Sequence, residues 1–393
     1  MKSARLLRDF IHDRLYYPNL GYFTKPRHQL GQLTEPLRYS KLEGVHDYYE
    51  SLGTAYPQYA FLTPVEIFQP WYGYSLASYF LSNREGLLRI IEIGGGTGTA
   101  ALSILDFYKR NHLQTYERLH YTVLEISPAI AEACLYRLSS AHPDLVASGR
   151  VQVVNKSALE YTQKHADPCF VFALEVMDNL PHDLVVQDSL TKDWKQACVQ
   201  EKEDGSLQEL LCPLSDPTII NLFQLYQTIP AVSFEEREAE EREGFVYSVI
   251  KYLSRPKKEQ KRVFLPTGCY QLIQHLNKLM PKAEYLLADF DYFRDAIIPG
   301  AGAPIVQNKG KLSHEKEEFG TLLVQRGQAD IMFPTNFRLL QHTFKTDFHK
   351  TGFAYKTHRF MKEHALAKWA RTQSGYKPLQ DDFHNTSVFI TKG

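Results

Sequence analysis

The stretch LLRIIEIGGGTGT, residues 87–99, restricts the fold more than any other part of the chain. A branched apolar run meets a turn in which Gly94, Gly95, Gly96 and Gly98 crowd together, and AALSILDFYKR follows at once. The run suits a buried strand, and the segment after the turn places Ala101, Ile104, Leu105 and Tyr108 on one helical face. The unit then recurs. HYTVLEI, RVQVVN and CFVFALEV read as further buried strands, with a helix over 128–140 between the first two and a fifth core strand in EYLLADF. Strands alternating with helices at this spacing build an α/β, doubly wound sheet of parallel strands. GTLLVQR and NTSVFI are expected to supply the later strands that close it.

In such sheets a ligand sits beyond the carboxyl ends of the strands, near the switch in strand order. Nicotinamide and flavin binders carry G-x-G-x-x-G or -A; Gly94 and Gly96 fill the first two places, but the third falls on Thr99. A phosphate loop needs Gly-Lys-Ser/Thr, which does not follow. Gly98 instead completes Gly-x-Gly-x-Gly, and Glu92 stands two residues before the first glycine. That acid-first pattern belongs to S-adenosyl-L-methionine binders, whose cofactor carries an ammonium for a strand-end carboxylate to orient. No pyrophosphate is present to call on the helix dipole. The next strand ends at Glu125, 27 residues after Gly98, where a carboxylate can accept from both ribose hydroxyls. A nicotinamide oxidoreductase could use Glu125 in the same way, so this acid indicates a nucleoside without naming it. Taken together, the features point to a doubly wound α/β sheet whose glycine turn holds S-adenosyl-L-methionine.

Lys plus Arg (45) equals Asp plus Glu (45), so no overall field draws the chain to nucleic acid or membrane. No run approaches the ~18 apolar residues of a membrane span, and the protein is expected to be soluble. Five scattered cysteines without a CxxC pair argue for a reducing interior and against a zinc cluster. The histidines show no HExxH, and no metal is expected. The opening MKSARLLRDFIHDRLY is basic, but Asp9 and Asp13 interrupt it, so it reads as a first amphipathic helix rather than a presequence. Residues 1–60 read as an N-terminal helical and loop segment, with a helix around 43–52, and 61–184 with 263–393 as the core. Residues 185–262 show few strand signals and the charge run FEEREAEEREGF, a solvated face, and are expected to form an inserted helical and charged segment.

NLGYF, TPVEIFQPWYG, EIGGGTGT, VLEISPAI, LEVMDNLP and ADIMFPTNF follow one another in an order that resembles the MidA-like proteins. That family includes a mitochondrial arginine methyltransferase that assists assembly of respiratory complex I. The resemblance runs from about 16 to 390 and is thinnest over 185–262. It implies a Rossmann-like, class I SAM-dependent methyltransferase fold with an inserted substrate-facing segment, in which the stretch from Pro64 to Gly73 covers the methionine end of the cofactor and Leu174 to Pro181 faces the acceptor. It also implies a protein-arginine acceptor, such as a complex I subunit, and a mitochondrial matrix address. Leu174 replaces the family's Asn, while Met332, Pro334 and Asn336 replace its Thr, His and Asp on the same side.

A guanidinium is a weak nucleophile, because its charge is delocalised and its pKa is above ~12. A carboxylate pair can hold its fork and localise charge away from the attacking nitrogen. Glu175 is assigned as the principal orienter, Asp178 as its partner, and His182 as a proton acceptor or relay. The competing reading is a methyltransferase-like assembly factor that works by docking. Its best feature is the Lys- and Arg-rich stretch 348–378, in which Glu363 is the one acid, and which could meet ribosomal RNA phosphates.

Overall fold

The computed structural model describes residues 4–25, 31–33, 35–55, 63–83, 87–229, 260–293, 296–309, 316–364 and 370–392. The main sheet is built on β2 (Arg89–Ile93), β3 (His120–Leu124), β4 (Val151–Val154), β5 (Cys169–Leu174), β10 (Ala283–Phe290), β14 (Gly352–Lys356) and β15 (Thr386–Thr391), in the order β14-β15-β10-β5-β2-β3-β4. Strands β4, β3, β2, β5 and β10 run parallel, and β15 and β14 close the edge antiparallel. From β2 the chain first builds outward through β3 and β4, then returns to lay β5 on the other side. The switch point therefore lies between β2 and β5, directly beyond the glycine turn.

The helices of this half read as expected. After α2 (Val45–Ala55) and α3 (Pro64–Ile67), α4 (Trp71–Ser82) packs on α5 (Thr99–Asn111). Ala101, Ile104, Leu105 and Tyr108 of α5 are fully buried, as their spacing requires. A short α6 (Leu113–Tyr116) leads to β3, and α7 (Pro128–Ala141) follows it, opened by Pro128 at its first position. Gly73 belongs to this packing. A Cβ there would lie 2.4 Å from Cβ of Ser103, so α4 and α5 approach as only glycine permits. Gly73→Ala is expected to lower stability by about 1–3 kcal/mol through overpacking, read as a fall in the urea midpoint with cofactor affinity unchanged.

Residues 185–262 correct the expectation of an inserted helical segment. They hold most of a second, antiparallel sheet: β6 (Asp183–Gln187), β7 (Trp194–Glu201) and β8 (Leu207–Pro213), closed by β9 (Arg262–Leu265) and by β1 (Arg5–Leu6). Lys195 of β7 and Gln208 and Glu209 of β8 stand outside the buried core, so these two strands lack the apolar signature of the parallel strands. The expected boundary at 184 falls inside β6. After an α8 (Pro143–Ala147) in the main half, α9 (Pro217–Thr228) packs on this sheet, its N-terminus capped by Asp216 accepting from Ile219 N at 3.0 Å. The charge run FEEREAEEREGF lies outside the described residues.

The N-terminal helix α1 (Leu7–Tyr16) joins the second sheet, not the first. Leu7, Phe10, Ile11 and Leu15 are buried with Leu184, Val199, Phe264 and Ile331 in one cluster. A third small sheet, β12 (Lys316–Glu318), β11 (Ile305–Lys309) and β13 (Asp330–Met332), lies beside it. GTLLVQR is not a strand: Leu322 and Val324 bury themselves in the same cluster without entering a ladder.

Candidate functional site

The glycine turn is a tight left-handed bend. Gly94, Gly96 and Gly98 have φ of 64°, 54° and 84°, a region that side chains with a Cβ avoid. Gly94 N donates to Leu124 O at 2.8 Å, which ties the turn to the end of β3. Gly96 N donates to Glu125 Oε2 at 3.1 Å, and Ser127 N donates to Glu125 Oε1 at 2.9 Å. The acid at the second strand tip is thereby oriented by backbone, with lone pairs left on both oxygens. Glu92 lies behind the turn, where its Oε2 accepts from the Tyr121 hydroxyl at 2.7 Å. Burial pushes the Glu92 carboxyl up to about 8 and the Glu125 carboxyl up to about 7.

A second group of acids stands across from the turn. Glu175 follows β5 with φ of +52°, a strained conformation for a residue with a side chain. Asp289, from the end of β10, holds the loop it begins: its Oδ2 accepts from Met177 N at 2.8 Å and Asp178 N at 3.1 Å, and its Oδ1 from Phe290 N at 2.7 Å. Asn179 Nδ2 donates to Asp330 Oδ1 at 2.8 Å, which brings the acid of β13 to the same loop. Burial and the other carboxylates push Glu175 and Asp178 well above the ordinary range, and burial pushes Asp289 up to about 7. Among the described residues, Oδ1 of Asp178 has no hydrogen-bond partner, and neither Glu175 nor Asp178 forms an ion pair. Glu92, Glu125, Glu175, Asp178 and Asp330 line one cavity of about 550 Å³ together with Gly94, Gly95 and Gly96, within the size range of small-molecule sites. Leu124, Ile126, Ile130, Ala158 and Leu159 give it an apolar slot beside Glu125.

Residues 75–354 match a family described as "Putative S-adenosyl-L-methionine-dependent methyltransferase". The chain belongs to this family. Its cofactor is therefore S-adenosyl-L-methionine rather than a nicotinamide nucleotide. It is also 24% identical, over 98% of its length and 85% of the relative's, to the mitochondrial protein arginine methyltransferase NDUFAF7 homolog of Schizosaccharomyces pombe. That match supports the MidA-like resemblance. Among solved structures, a superfamily member from Burkholderia thailandensis bound to S-adenosyl-homocysteine shares the fold, with a TM-score of 0.60 and 13% identity over 99% of this chain and 88% of that one. A native crystal structure from the same organism gives a TM-score of 0.60 with 14% identity, covering 100% of this chain and 88% of that one.

The methyltransferase brings Glu92, Gly94, Gly96, Glu125, Glu175 and Asp178 to one cavity, as expected from the sequence. Four other expected site residues stand off the cavity. Gly98 supports the turn from behind, where a Cβ would come within 2.8 Å of Cys134 Sγ, and it does not line the cavity. Pro64 opens α3 and is buried, and Gly73 serves the contact of α4 with α5; neither lines the cavity. In the same stretch it is Glu66 that does, with Oε1 accepting from Leu33 N at 2.8 Å and Oε2 from Thr99 Oγ1 at 2.5 Å. His182 is stacked on Phe333 with ring centroids 3.9 Å apart and donates from Nδ1 to Leu180 O at 2.8 Å. Burial holds its imidazole down to about 4, and it packs on Phe333 rather than lining the cavity. Sequence reasoning missed Glu66, Tyr16 and Asp330. The one signal for Glu66 is that it is the sole charge between Thr63 and Gly73.

The acids also set a pH dependence. Glu92, Glu125 and Asp289 keep their protons to about 8, 7 and 7, against ordinary values of 4.5, 4.5 and 3.8. Between those limits the unfolded chain has lost protons that the folded chain retains, so folding weakens as pH rises. The ligand-free methyltransferase is expected to melt at lower temperature at pH 8.5 than at pH 6. A cationic ligand favours the ionised acids, so S-adenosyl-L-methionine is expected to raise the melting temperature more at pH 8.5. Differential scanning fluorimetry at the two pH values checks both signs.

Proposed function

We propose that this methyltransferase transfers a methyl group to arginine side chains of a protein partner in mitochondria. The observation that carries the reading is the pair Glu175 and Asp178, set across one cavity from the glycine turn with Asp289 holding their loop from behind. Carboxylates this close cannot all ionise in an empty site, so a cation is the ligand that relieves them. A neutral hydroxyl or amide acceptor would leave that repulsion in place. The fission yeast relative, named as a mitochondrial protein arginine methyltransferase, supports both the acceptor and the address. A subunit of a respiratory complex under assembly is the partner that the MidA-like resemblance implies.

Within this reading Glu92 meets the ammonium of the cofactor and Glu125 its ribose. The slot of Ile126, Ile130 and Leu159 takes the adenine. The bound cofactor supplies a methyl group made electrophilic by the sulfonium. Glu175 and Asp178 hold the guanidinium fork, keep positive charge on the nitrogens that do not attack, and receive the proton released as the new N–C bond forms. Tritiated S-adenosyl-L-methionine with arginine-containing peptides from a mitochondrial extract tests it. Acid hydrolysis should return the label as methylarginine; label recovered as methyllysine would end the arginine reading.

The stretch 348–378 gives less support to docking on RNA. Lys356 pairs with Asp291 at 2.6 Å, Arg359 with Glu363 at 3.1 Å, and Lys350 donates to the carbonyls of Pro281 and Ala283. The helix Thr357–Glu363 buries Phe360 and Met361 against the main core. These cations serve the chain's own packing.

A further inference from the structure

The acceptor side of the cavity is completed by a residue from outside the methyltransferase sheet. Tyr16, the last residue of α1, lines the cavity together with Glu125, Asp178 and Asp330. Its hydroxyl donates to Asn179 O at 3.1 Å, in the loop that carries the two unpaired acids. A phenol oxygen has one hydrogen and two lone pairs. The hydrogen is committed to Asn179, and among the described residues no donor reaches the lone pairs. Nearby Asp178, Asp330 and Glu125, together with burial, push the phenol well above its ordinary range, so it stays neutral.

Tyr16 is held firmly. Its ring stacks on Phe23 at 5.7 Å, and Phe10, Ile11 and Leu15 bury the helix behind it. Arg8 Nη1 binds Asp183 Oδ2 at 2.8 Å and its Nη2 binds Asp216 Oδ2 at 2.6 Å, while Arg326 Nη2 binds Asp13 Oδ1 at 2.7 Å. The helix is thereby tied to β6, to the cap of α9 and to the turn before β13. Packing and charge together fix the phenol oxygen in place.

We propose that Tyr16 determines acceptor specificity: its oxygen accepts an N–H of the acceptor guanidinium, beside the carboxylates of Glu175 and Asp178. The proposal rests on the arginine reading above. Its logic is a count of donors. A guanidinium offers five N–H groups in one plane, more than two carboxylates can reach from one edge, whereas an ammonium offers three. A third, neutral acceptor at the side of the plane therefore favours arginine over lysine.

The test uses the full chain saturated with S-adenosyl-homocysteine, with Nα-acetyl-arginine amide and Nα-acetyl-lysine amide as probes in calorimetry. Tyr16→Phe should weaken the arginine probe about five- to tenfold and leave the lysine probe and S-adenosyl-homocysteine unchanged. Because Phe also frees Asn179 O, 3-fluorotyrosine and 3,5-difluorotyrosine are placed at position 16 as well. Fluorine strengthens the donation to Asn179 and weakens the lone pairs, so a stepwise loss of arginine affinity is expected. Native preference for the lysine probe overturns the arginine reading itself. An arginine preference that survives in all three variants, or an equal loss for both probes, overturns the role of Tyr16 alone.

Discussion

Replacing Glu175 by Gln and Asp178 by Asn is expected to cut methyl transfer by about 10²–10³, the usual loss when an oriented charge-stabilising group is removed. Cofactor affinity should stay within about threefold, because neither side chain touches the glycine turn, Glu92 or Glu125 by any hydrogen bond. The double variant should also melt at a higher temperature than the native chain at pH 8. There the unfolded chain has given up protons that burial and neighbouring carboxylates favour on the folded acids, and the amides remove that cost. Loss of activity joined to gain of stability is the signature of a site that stores repulsion for its ligand. Asp289 should behave in the opposite way. Its carboxylate accepts from Met177, Asp178 and Phe290, so Asp289→Ala removes the anchor of the acid loop and should destabilise the fold. Initial rates with an arginine peptide, cofactor titration and thermal melts separate the three effects. A double variant that retains full activity would remove these acids from the reaction.

The parallel sheet was legible because its strands are buried on both faces and read as unbroken apolar runs, from RIIEI to AEYLLADF. The cofactor half was legible for a related reason. The residues lining it, Glu92, Gly94, Gly96 and Glu125, stand at strand tips or in the turn, so their spacing along the chain survives into the fold. The second sheet was not. Strand β6 pairs with β9 across about eighty residues, and β8 places Gln208 beside Glu209 and ends on Pro213, so its order comes from pairing rather than propensity. GTLLVQR shows the converse error: Leu322 and Val324 are apolar because they sit under α1, not because they extend. In the site, proximity along the chain misled at His182, which follows the acid loop but turns onto Phe333. Tyr16 was invisible, since it reaches the loop from 163 residues away, and Asp330 entered only within the motif ADIMFPTNF, without a role of its own.

Gly96→Arg is expected to abolish cofactor binding while leaving the chain folded. Two costs combine there. A residue with a Cβ at φ of +54° is strained by roughly 1–2 kcal/mol, and relief by peptide rotation would break the donation of Gly96 N to Glu125 Oε2. The new guanidinium would then enter a cavity lined by Glu92 and Glu125 and pair with the acids that the cofactor needs. Affinity should fall more than a hundredfold, beyond what strain alone accounts for. Gly205→Ala is the control. Gly205 has a φ of +80°, but nothing lies within 4 Å of a Cβ placed there. It should show the strain as a lower melting temperature, with native affinity for S-adenosyl-L-methionine. Should Gly96→Arg bind the cofactor as the native chain does, the bend would be only a turn, and the acids across from it would lose their methyl donor. An intact circular dichroism spectrum with no calorimetric heat is the result that ties the bend to its ligand.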